Sequence, residues 1–93
     1  MNDRGSILDK AKAIINGERQ DAYGDPEDSF KLIAAYWGAY LHEPITPLDV
    51  AHMMMLLKLA RMSGQMPHED NYVDLAGYAG IAGDMVSGNE SPA

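Results

Sequence analysis

Two basic residues late in the chain, Lys58 and Arg61, stand three apart, so a helix holding them puts both on one side. The other cations, Arg4, Lys10, Lys12, Arg19 and Lys31, are scattered through the first third. Two cations one turn apart repel unless an anion or carboxylates join them. Arginine takes phosphate oxygens in a fork, and lysine takes them as a point charge. Asp70 and Asp74 are four apart with Tyr78 on the same line. An antiparallel neighbouring helix would bring Asp74 and Tyr78 towards Lys58 and Arg61. Such a cluster has two readings: a salt-bridge network that pins one helix to the next, or a site that keeps donors for an anionic ligand. In the second, Tyr78 stacks on a base or donates a hydrogen bond.

A second constellation is the run Glu18-Arg19-Gln20-Asp21-Ala22-Tyr23-Gly24-Asp25-Pro26. Glu18 and Asp21 share a side if helix persists there, and two carboxylates can hold Mg²⁺ through oxygen. The plainer reading is an acidic, solvated helix end followed by a turn, with Gly24 free to take positive φ. Arg19 and Tyr23, four apart, would face a ligand together or pack on each other. His42, His52 and His68 lack paired ligand spacing, so zinc is not expected. Cysteine is absent, which removes thiolate metal sites, thiol catalysis and disulfides. Neither a glycine-rich phosphate loop nor a nucleophile elbow occurs. Tyr36, Trp37 and Tyr40 form an aromatic group suited to core or dimer contact ahead of base stacking.

The elements that must position these residues are helices. Ser6 and Asp9 form a capping pair ahead of the stripe Ile7, Ala11, Ile14 and Ile15, and Gly24 is the firm stop. Asp25-Pro26 opens a second helix carrying Phe30, Ile33, Ala34, Trp37, Tyr40 and Leu41, which Glu43-Pro44 ends. Thr46-Pro47-Leu48-Asp49 repeats the start signal, with Val50, Met53, Met54, Leu57 and Ala60 as the buried face. A last helix is expected from near Asp70 to about Met85. Its Gly77, Gly80 and Gly83 each cost about 1 kcal/mol relative to alanine, which close approach of another helix would offset. The fold expected is all-α, a four-helix bundle-like protomer over 1–86 with a flexible tail over 87–93.

At 93 residues the chain holds one domain, and a small one, so an oligomer (a dimer or higher) is expected. Seven Lys plus Arg against fourteen Asp plus Glu give a net charge of −7, which repels nucleic-acid phosphates. No apolar run approaches the ~18 residues of a membrane span, and the first residues lack a signal-peptide core. A soluble cytoplasmic protein is expected.

The blocks ERQDAYGDP, DVAHMMMLLKLAR and DNYVDLAGYAG resemble small phage and prophage proteins of uncharacterised function over roughly residues 6 to 86. Those are similar in turn to the all-α nucleoside triphosphate pyrophosphohydrolases, the MazG-like and phosphoribosyl-ATP pyrophosphohydrolase group. That resemblance implies Mg²⁺ held by acidic pairs, ExxE and ExxD, on two neighbouring helices, cleavage of a nucleotide's α–β bond, and a dimer or tetramer. Asp74 falls at the last position of the second pair, while Asn71 fills its partner slot. Lys58 and Arg61 stand at the spacing of the first pair, and positive side chains do not ligate Mg²⁺. Asp70, Asp74, Glu18 and Asp21 are then the metal ligands of an enzyme reading. The leading expectation is binding of a phosphorylated nucleotide, linear or cyclic, without catalysis or a cofactor. Lys58, Arg61, Asp74, Tyr78, Arg19 and Tyr23 would carry it. Sequestration of a nucleotide signal that triggers host defence is the analogous phage role. The alternatives are a Mg²⁺-dependent pyrophosphohydrolase and a purely structural helical interaction protein.

Overall fold

The helix start after Thr46 is set by groups that satisfy its first N–H donors. At Thr46 the pattern is a reciprocal capping box: the Asp49 N–H donates to Thr46 Oγ1 at 3.0 Å, and the Thr46 N–H donates to Asp49 Oδ2 at 2.9 Å. Pro47 follows as the first helical residue, where its missing N–H is no loss. The computed structural model, described over residues 4–15, 26–64 and 68–89, has α1 (Arg4–Ala13), α2 (Pro26–Leu41), α3 (Pro47–Gly64) and α4 (Glu69–Asn89), and α1 begins at Arg4, so Ser6, expected to cap it, lies inside the helix. No strand occurs among the described residues, which are all-α and form four helices. α1 continues through Ile14 and Ile15 as a π-type turn. α4 passes its expected end near Met85 because Met85 is itself buried in the core and anchors that turn. The tail expected from Ser87 is thus helical through Asn89, and residues 90–93 lie outside the described residues.

The capping box has a consequence in acid. Hydrogen bonds from the Thr46 backbone N–H, then from its side chain, hold the Asp49 carboxyl below its ordinary pKa of 3.8. A group depressed in the folded state stabilises fully above its unfolded pKa, and the contribution disappears as pH falls through the lower folded value. Asp49→Asn should therefore be less stable than the parent at neutral pH and equal to it in strong acid. Urea denaturation at both pH values checks this; a difference that persists in acid contradicts it.

α2 ends at Leu41 by a route the proline signal did not reveal. His42 adopts φ 58°, and the Glu43 N–H donates to the Gly38 carbonyl at 3.2 Å. This is a Schellman turn with histidine in the left-handed position that glycine usually fills. A Cβ on Gly38 would stand 2.8 Å from the Glu43 carbonyl oxygen, so the closeness of the turn requires glycine there.

The core joins three helices. Phe30 and Ala34 of α2, Val50 and Ala51 of α3, and Ala82 and Met85 of α4 are buried together, with Ile33, Trp37, Ile45, Leu48, Met54, Tyr78 and Ile81 packed around them. The start of α3 thus meets the end of α4, while Lys58 further along meets Asp74, so the two helices run antiparallel. α2 packs on α3, and α1 packs on α4. The glycines of α4 explain that last contact. Ile15 Cγ2 and Cδ1 lie 3.3 and 3.2 Å from where Cβ atoms of Gly77 and Gly80 would stand. Gly83 has nothing within 4 Å, so close approach accounts for two of the three.

α3 is rotated from the expected face. Val50 and Ala51 are buried and Met54, Met55, Lys58 and Met62 half-buried, whereas Met53, Leu57 and Ala60 are exposed. Tyr40 and Leu41 of α2, placed by spacing on its buried line, are exposed as well. Both helices continue apolar onto a second face, which leaves their rotation undetermined by pattern alone.

Candidate functional site

Lys58 projects from the inner side of α3 and Asp74 from the facing side of α4. Nζ lies 2.9 Å from Oδ2, with the two side chains only 12% and 14% exposed. Removing two such charges from water is costly, and their mutual contact offsets it only with good geometry. The exposed pair Lys10–Glu69, which ties α1 to α4 at 2.6 Å, stands in water and carries far less energy.

Around the inner pair the chain places a polar residue and an aromatic one. Asn71, one turn before Asp74, is 4% exposed. Tyr78, one turn after, is half-buried and stacked on Phe30 of α2, with centroids 6.1 Å apart and planes at 30°. That stack occupies one face of the Tyr78 ring. Arg61 differs from Lys58. Positions three apart on a helix diverge by about 60°, enough to turn Arg61 out to solvent while Lys58 points in. Among the described residues no carboxylate pairs with Arg61.

The structure therefore brings together Lys58 and Asp74 as the antiparallel geometry anticipated, and separates Arg61 from them in exposure. Asp70 is exposed in the first turn of α4. Among the described residues no three His, Asp or Glu side chains are grouped to hold a metal. Glu18, Arg19, Asp21 and Tyr23 lie outside the described residues. Sequence reasoning missed the burial of Asn71, noting it only as a departure from an acidic pair. Its place three residues before Asp74 was the available signal, since that spacing puts both on the side facing α3.

Residues 6–86 match the model of a domain of unknown function, DUF6378. The chain belongs to the DUF6378 family. This DUF6378 chain is 47% identical over 75 residues to the Gene 55 protein of Mycobacterium phage D29, covering 81% of this chain and 50% of that protein. It is 49% identical over 81 residues to the Gene 55 protein of Mycobacterium phage L5, covering 86% of this chain and 52% of that protein. The chain spans about half the length of the curated relatives it matches. No solved structure matches the DUF6378 chain. No described helix is long and apolar enough to cross a membrane.

Proposed function

We propose that this DUF6378 chain binds a phosphorylated nucleotide without hydrolysing it, with Arg61 as the outer counter-charge and Lys58 as the inner one. The observation that carries this reading is the divided pair. Lys58 is fixed between α3 and α4 by Asp74, and Arg61, one turn on, is exposed with no carboxylate partner among the described residues. A fixed ammonium and an exposed guanidinium near the end of one helix suit an anion that enters from solvent. Asp74 Oδ2 engages an ammonium, where the MazG-like arrangement would have it ligate Mg²⁺. The resemblance to those pyrophosphohydrolases then supplies the ligand class, and the cations supply the charge that magnesium otherwise provides. In a relative of phage proteins, the role that fits is sequestration of a nucleotide signal in the cytoplasm of the infected cell.

A second reading has its own support. The inner ion pair pins α4 to α3 whether or not a ligand binds, which is what a helical interaction protein requires. Arg61→Glu separates the two, because Arg61 takes no described part in that pairing. Small molecules released from the denatured protein after purification from its expression host should include a nucleotide for the parent. They should include at least about tenfold less for Arg61→Glu, as expected for loss of a charge-assisted phosphate contact. Equal release from both, or none from either, would favour the interaction protein.

A further inference from the structure

α4 packs through two faces about a third of a turn apart. On one, Tyr78, Ala82 and Met85 join the core shared with α2 and α3, and Asp74 meets Lys58. On the other, Glu69, Val73, Gly77 and Gly80 follow at helical spacing. The contacts of this second face go to α1. Lys10 Nζ reaches Glu69 Oε2, and among the described residues Ile15 is all that a Cβ at Gly77 or Gly80 would meet within 4 Å. Val73 is buried yet stands outside the three-helix core, and so does Ala11, the buried residue of α1.

α1 is held lightly by comparison with the other helices. Even with its closing turn it spans residues 4–15, at the edge of the about 12–15 residues below which a lone helix is marginal in water. It buries one alanine fully and Ile7, Ile14 and Ile15 in part, while Leu8 is exposed. Its ion pair with Glu69 stands in water on both sides and adds little. Glycine at the seat gives Ile15 a close fit but little area, so the contact is near without being strong. The core, in contrast, closes through Phe30, Val50, Met85 and the inner ion pair without any α1 residue. We infer that α1 is a strap that lifts from α4 as one unit while the three-helix core stays folded. Ile15 over Gly77 and Gly80 is its catch, and Lys10 with Glu69 is its clasp. Lifting bares Val73, Gly77 and Gly80, a line of α4 that the closed protomer covers.

Amide hydrogen exchange on the intact chain, followed residue by residue by NMR, tests the strap. The α1 amides from Leu8 to Ala13 should be protected, yet exchange at least about a hundredfold faster than those of α3 from Met54 to Lys58. Urea should quicken the α1 amides little, because lifting exposes little surface, and the α3 amides steeply. Phe30→Leu weakens a core that is folded in both the closed and the lifted state. It should therefore speed α3 exchange by up to about tenfold and leave α1 exchange unchanged. Gly77→Val puts a side chain where Ile15 sits without adding to the helix cost of glycine. It should speed α1 exchange at least about tenfold while the α3 amides stay protected. Lys10→Ala should speed α1 exchange by at most about fivefold. If the α1 amides of the parent share the rate and urea dependence of α3, α1 opens only when everything unfolds, and the inference falls. It falls equally if they exchange as in an unstructured peptide, since no strap is then docked, or if Phe30→Leu speeds both helices alike.

Discussion

A Lys58→Ala chain is expected to unfold at a much lower urea concentration than its parent. The substitution takes the ammonium from a carboxylate that is 14% exposed. Removing one member of a buried pair costs about 3–5 kcal/mol, and the residual exposure here places the loss near the lower figure. A chain of 93 residues has a total stability of about 5–14 kcal/mol, so about a fifth to three fifths of it would be lost. Lys10→Ala supplies the comparison. Its pair with Glu69 is closer, but both partners are well exposed, and such pairs contribute at most about 1 kcal/mol. Burial, not distance, orders the two effects. Urea midpoints for both variants test this ordering, and a Lys58→Ala midpoint no lower than that of Lys10→Ala would contradict it.

Phe30→Ala should be similarly damaging for a different reason. Three of the six buried residues at the centre of the core are alanines, so Phe30, the chain's one phenylalanine, supplies much of the apolar volume. It also stacks on Tyr78 and so holds α2 against α4 beside the inner ion pair. Truncation of a buried phenylalanine costs about 3–5 kcal/mol through lost transfer energy and the cavity left behind. Phe30→Leu keeps most of the volume and should lose less than half as much. Thermal melts of both variants, with near-ultraviolet dichroism reporting the packing of Tyr78, provide the measurement. A loss below about 1 kcal/mol for Phe30→Ala would mean that the core forms without it.

The helices were legible in the sequence where local chemistry dictates them. Thr46, Pro47 and Asp49 write the start of α3, and Pro26 with Glu27 and Asp28 writes that of α2, because orphan N–H groups and the helix dipole act within one turn. Gly77 and Gly80 announced the close neighbour that Ile15 proves to be. The meeting of Lys58 with Asp74 followed from two helices running antiparallel. Rotation about the helix axis was the illegible part. The run from Val50 to Leu57 is apolar on every side except His52, so period alone does not say which face turns inward. That ambiguity placed Met53 and Leu57 in the core and put Lys58 and Arg61 on one side, whereas the inner face runs through Met54, Met55, Lys58 and Met62 and leaves Arg61 beyond its edge. The Schellman turn at His42 was hidden because its histidine occupies a conformation that sequence preferences assign to glycine.

Calorimetric titration of the intact chain with linear and cyclic nucleotides, in EDTA and then in Mg²⁺, tests the central claim most directly. Saturable binding that EDTA leaves unchanged and Arg61→Glu weakens at least about tenfold is the expected result. No heat with any nucleotide, or binding that appears only when Mg²⁺ is supplied, would contradict it.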